Sequence, residues 1–149
     1  MAIVELFHTS PVKIKKITKN GGLFGSVLFF SESIYYMNAN IKACSVYKIE
    51  IDSSDIVDVR TFDLNEELEE VCASEIESVK SLLECDEEDA VDYLSEREFV
   101  EDAEISWEIQ RLQAVCAKKL GFIAAKSIDE QGAVYMIDMF GKDEMLKLV

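Results

Sequence analysis

Between residues 63 and 104 the chain holds 18 of its 30 acidic groups but only two of its 15 basic ones, Lys80 and Arg97. Through that same stretch the apolar residues keep a helical spacing: Leu68, Val71, Cys72, Ile76, Val79, then Leu82 and Leu83. Ala90, Tyr93 and Leu94 mark a second, shorter helix. A segment with a net charge of −16 can fold only by turning one apolar stripe inward and leaving its carboxylates in water. The other residues carry 12 acidic and 13 basic groups, so a nearly neutral body bears one acidic helical middle. Phosphate would be repelled by that middle, and a basic protein surface attracted to it.

The period changes on both sides of this segment. Ile3 to His8 is a short apolar run that reads as a buried strand, and Thr9-Ser10-Pro11 reads as a helix start with proline at the first helical position. Val12 to Lys19 continues as a turn or two of helix until Asn20-Gly21-Gly22 breaks it. Val27 to Phe30 is a second strand, and Ser31-Glu32-Ser33 caps a helical segment carrying Tyr35 and Tyr36. Val46 to Ile51 alternates as a third strand, with Val46 or its neighbours toward the core and Lys48 and Glu50 toward water. Ile56 to Val59 is a short fourth.

After the acidic middle, Ile105, Ile109, Leu112, Val115, Cys116 and Leu120 form the stripe of a long helix that stops at Gly121. Phe122 to Ala125 and Ala133 to Ile137 are strands joined by the turn Asp129-Glu130-Gln131-Gly132, and Leu146 to Val149 is a possible last strand. The expected class is α+β: one domain over residues 1–149, with strand-rich ends around a helical centre.

Nearly half the residues are apolar (49%), which sets the chain apart from disordered acidic tails. No apolar run approaches the ~20 residues of a membrane-spanning helix. The first residues lack the basic flank of a signal peptide, so a cytoplasmic location is expected. Cys44, Cys72, Cys85 and Cys116 show no C-x-x-C spacing, read as reduced, buried thiols, and predict no metal site. No phosphate-binding glycine motif and no Ser-His-Asp signature is present.

Singly, the candidate site residues are ambiguous. His8, the one histidine, closes a strand and reads about equally as a packed residue or a site residue. Asp129-Glu130 reads as a solvated acidic turn or as a carboxylate held at a strand end, and Phe29, Phe30, Tyr35 and Tyr36 read more readily as core than as a platform. Trp107 and Arg111, four apart on one helix, can stack and order its face.

In order, however, His8-Thr9-Ser10, then Phe30 with Tyr36, then Asp129, resemble the diphtheria-toxin and poly(ADP-ribose) polymerase branch of ADP-ribosyltransferases. The stretches ELFHTS, GGLFG, WEIQRLQAVCAKKLGF and DEQG are similar to those of anti-CRISPR ADP-ribosyltransferases that inhibit the type I-F surveillance complex. That resemblance implies a split antiparallel sheet core and NAD consumed as a substrate, with no metal. It implies that His8 hydrogen-bonds a ribose, that Thr9, Ser10 and Gly25 line the dinucleotide, and that Phe30 and Tyr36 flank the nicotinamide, with Tyr35 as the rival of Tyr36. Asp129 is implied as the catalytic carboxylate, with Glu130 as the fallback. The implied partner is a protein, a DNA-recognising subunit of a CRISPR effector, with no direct contact to nucleic acid or membrane. A stoichiometric acidic DNA mimic and an ADP-ribosylating phage effector with another target are the alternatives.

Overall fold

A computed structural model describes residues 2–10, 27–32, 45–129 and 132–148. The strands are β1 (Ile3–Ser10), β2 (Val27–Phe30), β3 (Ser45–Asp52), β4 (Ile56–Asp58), β5 (Ala124–Asp129), β6 (Gly132–Asp138) and β7 (Lys147–Leu148). The helices are α1 (Leu68–Val71), α2 (Ala73–Leu83), α3 (Glu87–Leu94) and α4 (Ala103–Lys119). The fold is α+β, with two sheets. One has the order β1-β3-β7 and is antiparallel throughout; the other has the order β2-β6-β5-β4, in which only β4 and β5 run parallel.

Alternation along the strands builds three layers. Leu6, Ile49 and Ile51 of the first sheet meet Phe30, Ala124, Tyr135 and Ile137 of the second in one core. The next residues along the second sheet, Val27, Val57, Ala125 and Met136, face the opposite way and pack under the helices with Leu68, Ile76, Leu94 and Leu112. The sheets touch along the β1–β2 edge, where Phe7 and Ser31 exchange two backbone hydrogen bonds of 2.8 and 2.9 Å.

The helix ends follow their local chemistry. Asp102 caps α4 by accepting from the Ile105 amide at 3.1 Å, and Asp86 caps α3 by accepting from that of Asp89 at 2.8 Å. Glu87, Glu88 and Asp89 occupy the first turn of α3, and Lys118 and Lys119 the last turn of α4, each complementing the helix dipole. Gly121 takes the left-handed φ of +95° that ends α4.

Several expectations are corrected. β1 runs on through Thr9 and Ser10, which pair with Val46 and Ser45 of β3, and the helix expected from Pro11 lies outside the described residues. In β3 the inward face is Tyr47, Ile49 and Ile51, all at most 5% exposed, while Val46 shares the outward parity of Lys48. The helical stretch after Asn65 is divided at Cys72 into α1 and α2, and β5 starts at Ala124 rather than Phe122. The segments holding Pro11, Gly25, Tyr35, Tyr36 and Glu130 lie outside the described residues.

Candidate functional site

His8 lies on β1 opposite Tyr47, half-buried at the junction of the two sheets. Its Nδ1 is 2.7 Å from the carbonyl oxygen of Phe29. A carbonyl can only accept, so Nδ1 carries the hydrogen, and in the neutral ring Nε2 keeps its lone pair. Burial holds the His8 pKa below its ordinary value, partly opposed by the bond to Phe29, so the ring is neutral at pH 7. Phe30 packs beside it, the ring centroids 5.5 Å apart and the planes tilted by 50°.

Phe30 begins a row across the second sheet. The pairing register aligns Phe30 with Tyr135, Tyr135 with Lys126, and Lys126 with Asp58. Lys126 holds its ammonium 6.0 Å from the Tyr135 ring centroid. The Tyr135 hydroxyl donates to Glu32 at 2.6 Å; burial and then that carboxylate raise its pKa. Asp58 is held low by its paired bonds to Arg60. The result is a histidine, two aromatic rings and a lysine in a band on one sheet face.

Of the residues singled out in the sequence, His8 and Phe30 are brought into contact. Thr9 and Ser10 follow His8 along β1. Asp129 ends β5 opposite Gly132, three residues past Lys126 and therefore about 10 Å along the strand from the row. Tyr135, Lys126 and Glu32 were not singled out. Tyr135 looks like one more apolar residue of a strand, and only the register places it beside Phe30.

Glu96, just past α3, takes a left-handed φ of 58°, a conformation that a side chain with a Cβ rarely adopts. Its carboxylate accepts from the Ser127 hydroxyl at 2.6 Å, clamping β5 shortly before Asp129. Burial raises the Glu96 pKa, and the Ser127 hydroxyl and the Ile128 amide oppose the rise.

Sequence spacing gave no metal-ligand cluster, yet the fold assembles one possible set: the Cys72 and Cys116 sulfurs and a Glu75 carboxylate oxygen lie within 4.8 Å of one another, all buried. Glu75 is already bonded to Lys119 Nζ at 2.8 and 2.9 Å, an ion pair that ties α2 to α4. The hydrogen bond to Cys72 and burial push the Cys116 thiol up, so it is protonated and unreactive. On α4, Arg111 pairs with Glu108 at 2.6 Å.

The two-sheet fold is one already seen in a solved structure. The chain is similar in fold to one described as the crystal structure of an anti-CRISPR protein, with 24% identity over 91% of this chain and 89% of that one and a TM-score of 0.55. The family model described as anti-CRISPR Type I-F ADP-ribosyltransferase AcrIF11 matches residues 4–142, and the chain belongs to that family. No curated protein matches it. Among the described residues, no helix is long and apolar enough to cross a membrane.

Proposed function

We propose that the chain, acting as one domain in the host cytoplasm, uses NAD to transfer a single ADP-ribose to a protein. The target in this reading is a DNA-recognising subunit of the type I-F CRISPR surveillance complex. The observation that carries the reading, within the family assignment, is the bond from His8 Nδ1 to Phe29. It leaves Nε2 of a half-buried, neutral ring as an acceptor beside Phe30, suited to a ribose hydroxyl next to a flat nicotinamide. Thr9, Ser10 and Gly25 extend this cofactor site, and Tyr36 is the second nicotinamide contact.

In the reaction the bond between the nicotinamide nitrogen and ribose C1′ breaks, and nicotinamide leaves with the bonding electrons. A nucleophilic atom of the target bonds to C1′ and gives up its proton to solvent or a nearby base. The sugar passes through an oxocarbenium-like state, as in glycoside hydrolysis. Asp129 is the carboxylate that stabilises this charge, and it acts most strongly at the transition state. The product places two phosphate charges on a surface that reads DNA, which repels the duplex.

Intact-mass analysis of the surveillance complex after incubation with the protein and NAD tests the reading. One ADP-ribose on one subunit, absent with Asp129→Asn, is the expected result. Inhibition without a mass change, proportional to dose and unaffected by Asp129→Asn, supports the acidic DNA mimic instead. ADP-ribose appearing only on other host proteins supports an effector with a different target.

A further inference from the structure

A small surface pocket, with about 40 Å³ of enclosed space and a mouth open to solvent, lies between the end of α3 and the middle of α4. Tyr93 and Phe99 contribute aromatic rings to its lining, and Phe99 is left 74% exposed. Glu96 and Glu98 supply carboxylates, and among the described residues no lysine or arginine lines it. Arg97, between those two glutamates, is drawn away to Asp63 at 3.1 Å and to the Arg60 carbonyl at 3.1 Å.

Gln113, only 1% exposed, also lines the cavity. Its Nε2 donates to the Leu94 carbonyl at 2.9 Å, and this fixes the amide: flipped, it would set oxygen against oxygen. Gln113 Oε1 is then left without a hydrogen-bond partner, a rare state for a buried carbonyl. Glu96 is held by Ser127, but the Glu98 carboxylate and Gln113 Oε1 have no donor among the described residues, so the site calls for an occupant that is cationic and rich in N–H groups.

We infer that the cavity takes the side chain of an arginine on a partner protein. A guanidinium is planar and can lie against Tyr93 or Phe99, and its five donors fan out toward acceptors on different sides. An ammonium could meet the carboxylates but would not use the flat ring faces in the same way. The surrounding segment, 63–104, has a net charge of −16 and steers a basic surface toward the site. Because Glu96 is bonded to Ser127, an arginine seated here brings its own protein up to the end of β5. Only this last point rests on the ADP-ribosyltransferase reading.

The test is a titration of the isotope-labelled full chain with N-acetyl-arginine methylamide, followed through the Gln113 side-chain amide resonances. A saturable shift is expected, with the isosteric but uncharged citrulline compound binding about tenfold more weakly. The double variant Glu98→Gln, Phe99→Ala, altered only at exposed positions, should lose most of the response. No saturable shift at Gln113 overturns the inference, as does an equal response to citrulline or tighter binding of the lysine compound. The titration contains no NAD, so its failure is distinguishable from failure of the mass assay.

Discussion

Replacing Glu96 separates two costs that the structure combines at one residue. In Glu96→Ala the Ser127 hydroxyl, on a residue only 2% exposed, loses a charge-assisted bond of 2.6 Å, and the Ile128 amide loses a nearby carboxylate. Stranding such groups costs about 2–3 kcal/mol, and for a chain of this size that is a fall in Tm of roughly 5–10 °C. Glu96→Gly strands the same groups but removes the Cβ from a φ of 58°. Relief of the left-handed conformation is worth about 1–2 kcal/mol, against about 0.5–1 kcal/mol for the added freedom of the unfolded chain. The glycine variant should therefore be the more stable of the two by roughly 0.5–1 kcal/mol. Glu96→Gln adds a pH signature. Burial raises the carboxyl pKa in the fold, so the wild type is fully stabilised below the ordinary glutamate range and loses stability as pH rises through the folded value. The glutamine variant does not titrate, so its stability relative to wild type should grow as pH is raised from about 4 toward 7. Urea denaturation of the four proteins across that range measures all of this. An alanine variant as stable as wild type, or a glycine variant less stable than alanine, would refute both the clamp and the strained backbone.

Other outcomes follow from single contacts. Asp129→Asn should lower kcat about 10²–10³-fold with NAD affinity nearly kept, separable by turnover assay and calorimetry. His8→Phe retains an aromatic ring beside Phe30 but removes Nε2; NAD affinity should fall at least as much as kcat, and a variant binding NAD normally would show that His8 holds no ribose. NAD affinity of the wild type should be level near neutral pH and decline only below the ordinary histidine range, about pH 6.5, because His8 protonates late and then loses its acceptor. Lys119→Met leaves the Glu75 carboxylate, on a residue 7% exposed, without its cation and should cost roughly 2 kcal/mol; adding Glu75→Gln should recover much of that in a double-mutant cycle.

What could be read from the chain beforehand follows the range of the interactions involved. The periodicity of Ile105 to Leu120 and its stop at Gly121 located α4 to within a residue or two, because cap, stripe and terminator are all local. The turn at 129–132 gave the β5–β6 hairpin for the same reason. The extension of β1 through Thr9 and Ser10 was not legible, because the β3 partners that pair with them are more than thirty residues away. His8 and Phe30 were legible only as members of an ordered series, and their contact depends on the Phe7–Ser31 bridge between sheets. The Glu96 clamp and the Cys72–Glu75–Cys116 cluster left no sequence signal, since each joins residues from different turns of chain.

The parallel pairing of β4 with β5 has a consequence for how such a protein can vary. Everything from Val59 to Ile123, the acidic helices included, is one connection that leaves the sheet at Asp58 and returns beside it at Ala124. Its two ends are fixed on adjacent strands, so the length and charge of its exposed parts can change while its buried residues go on packing under the second sheet. On the proposed reading, a change of target can then come from the exposed parts of one crossover, while the pairing that sets His8 beside Phe30 stays in place.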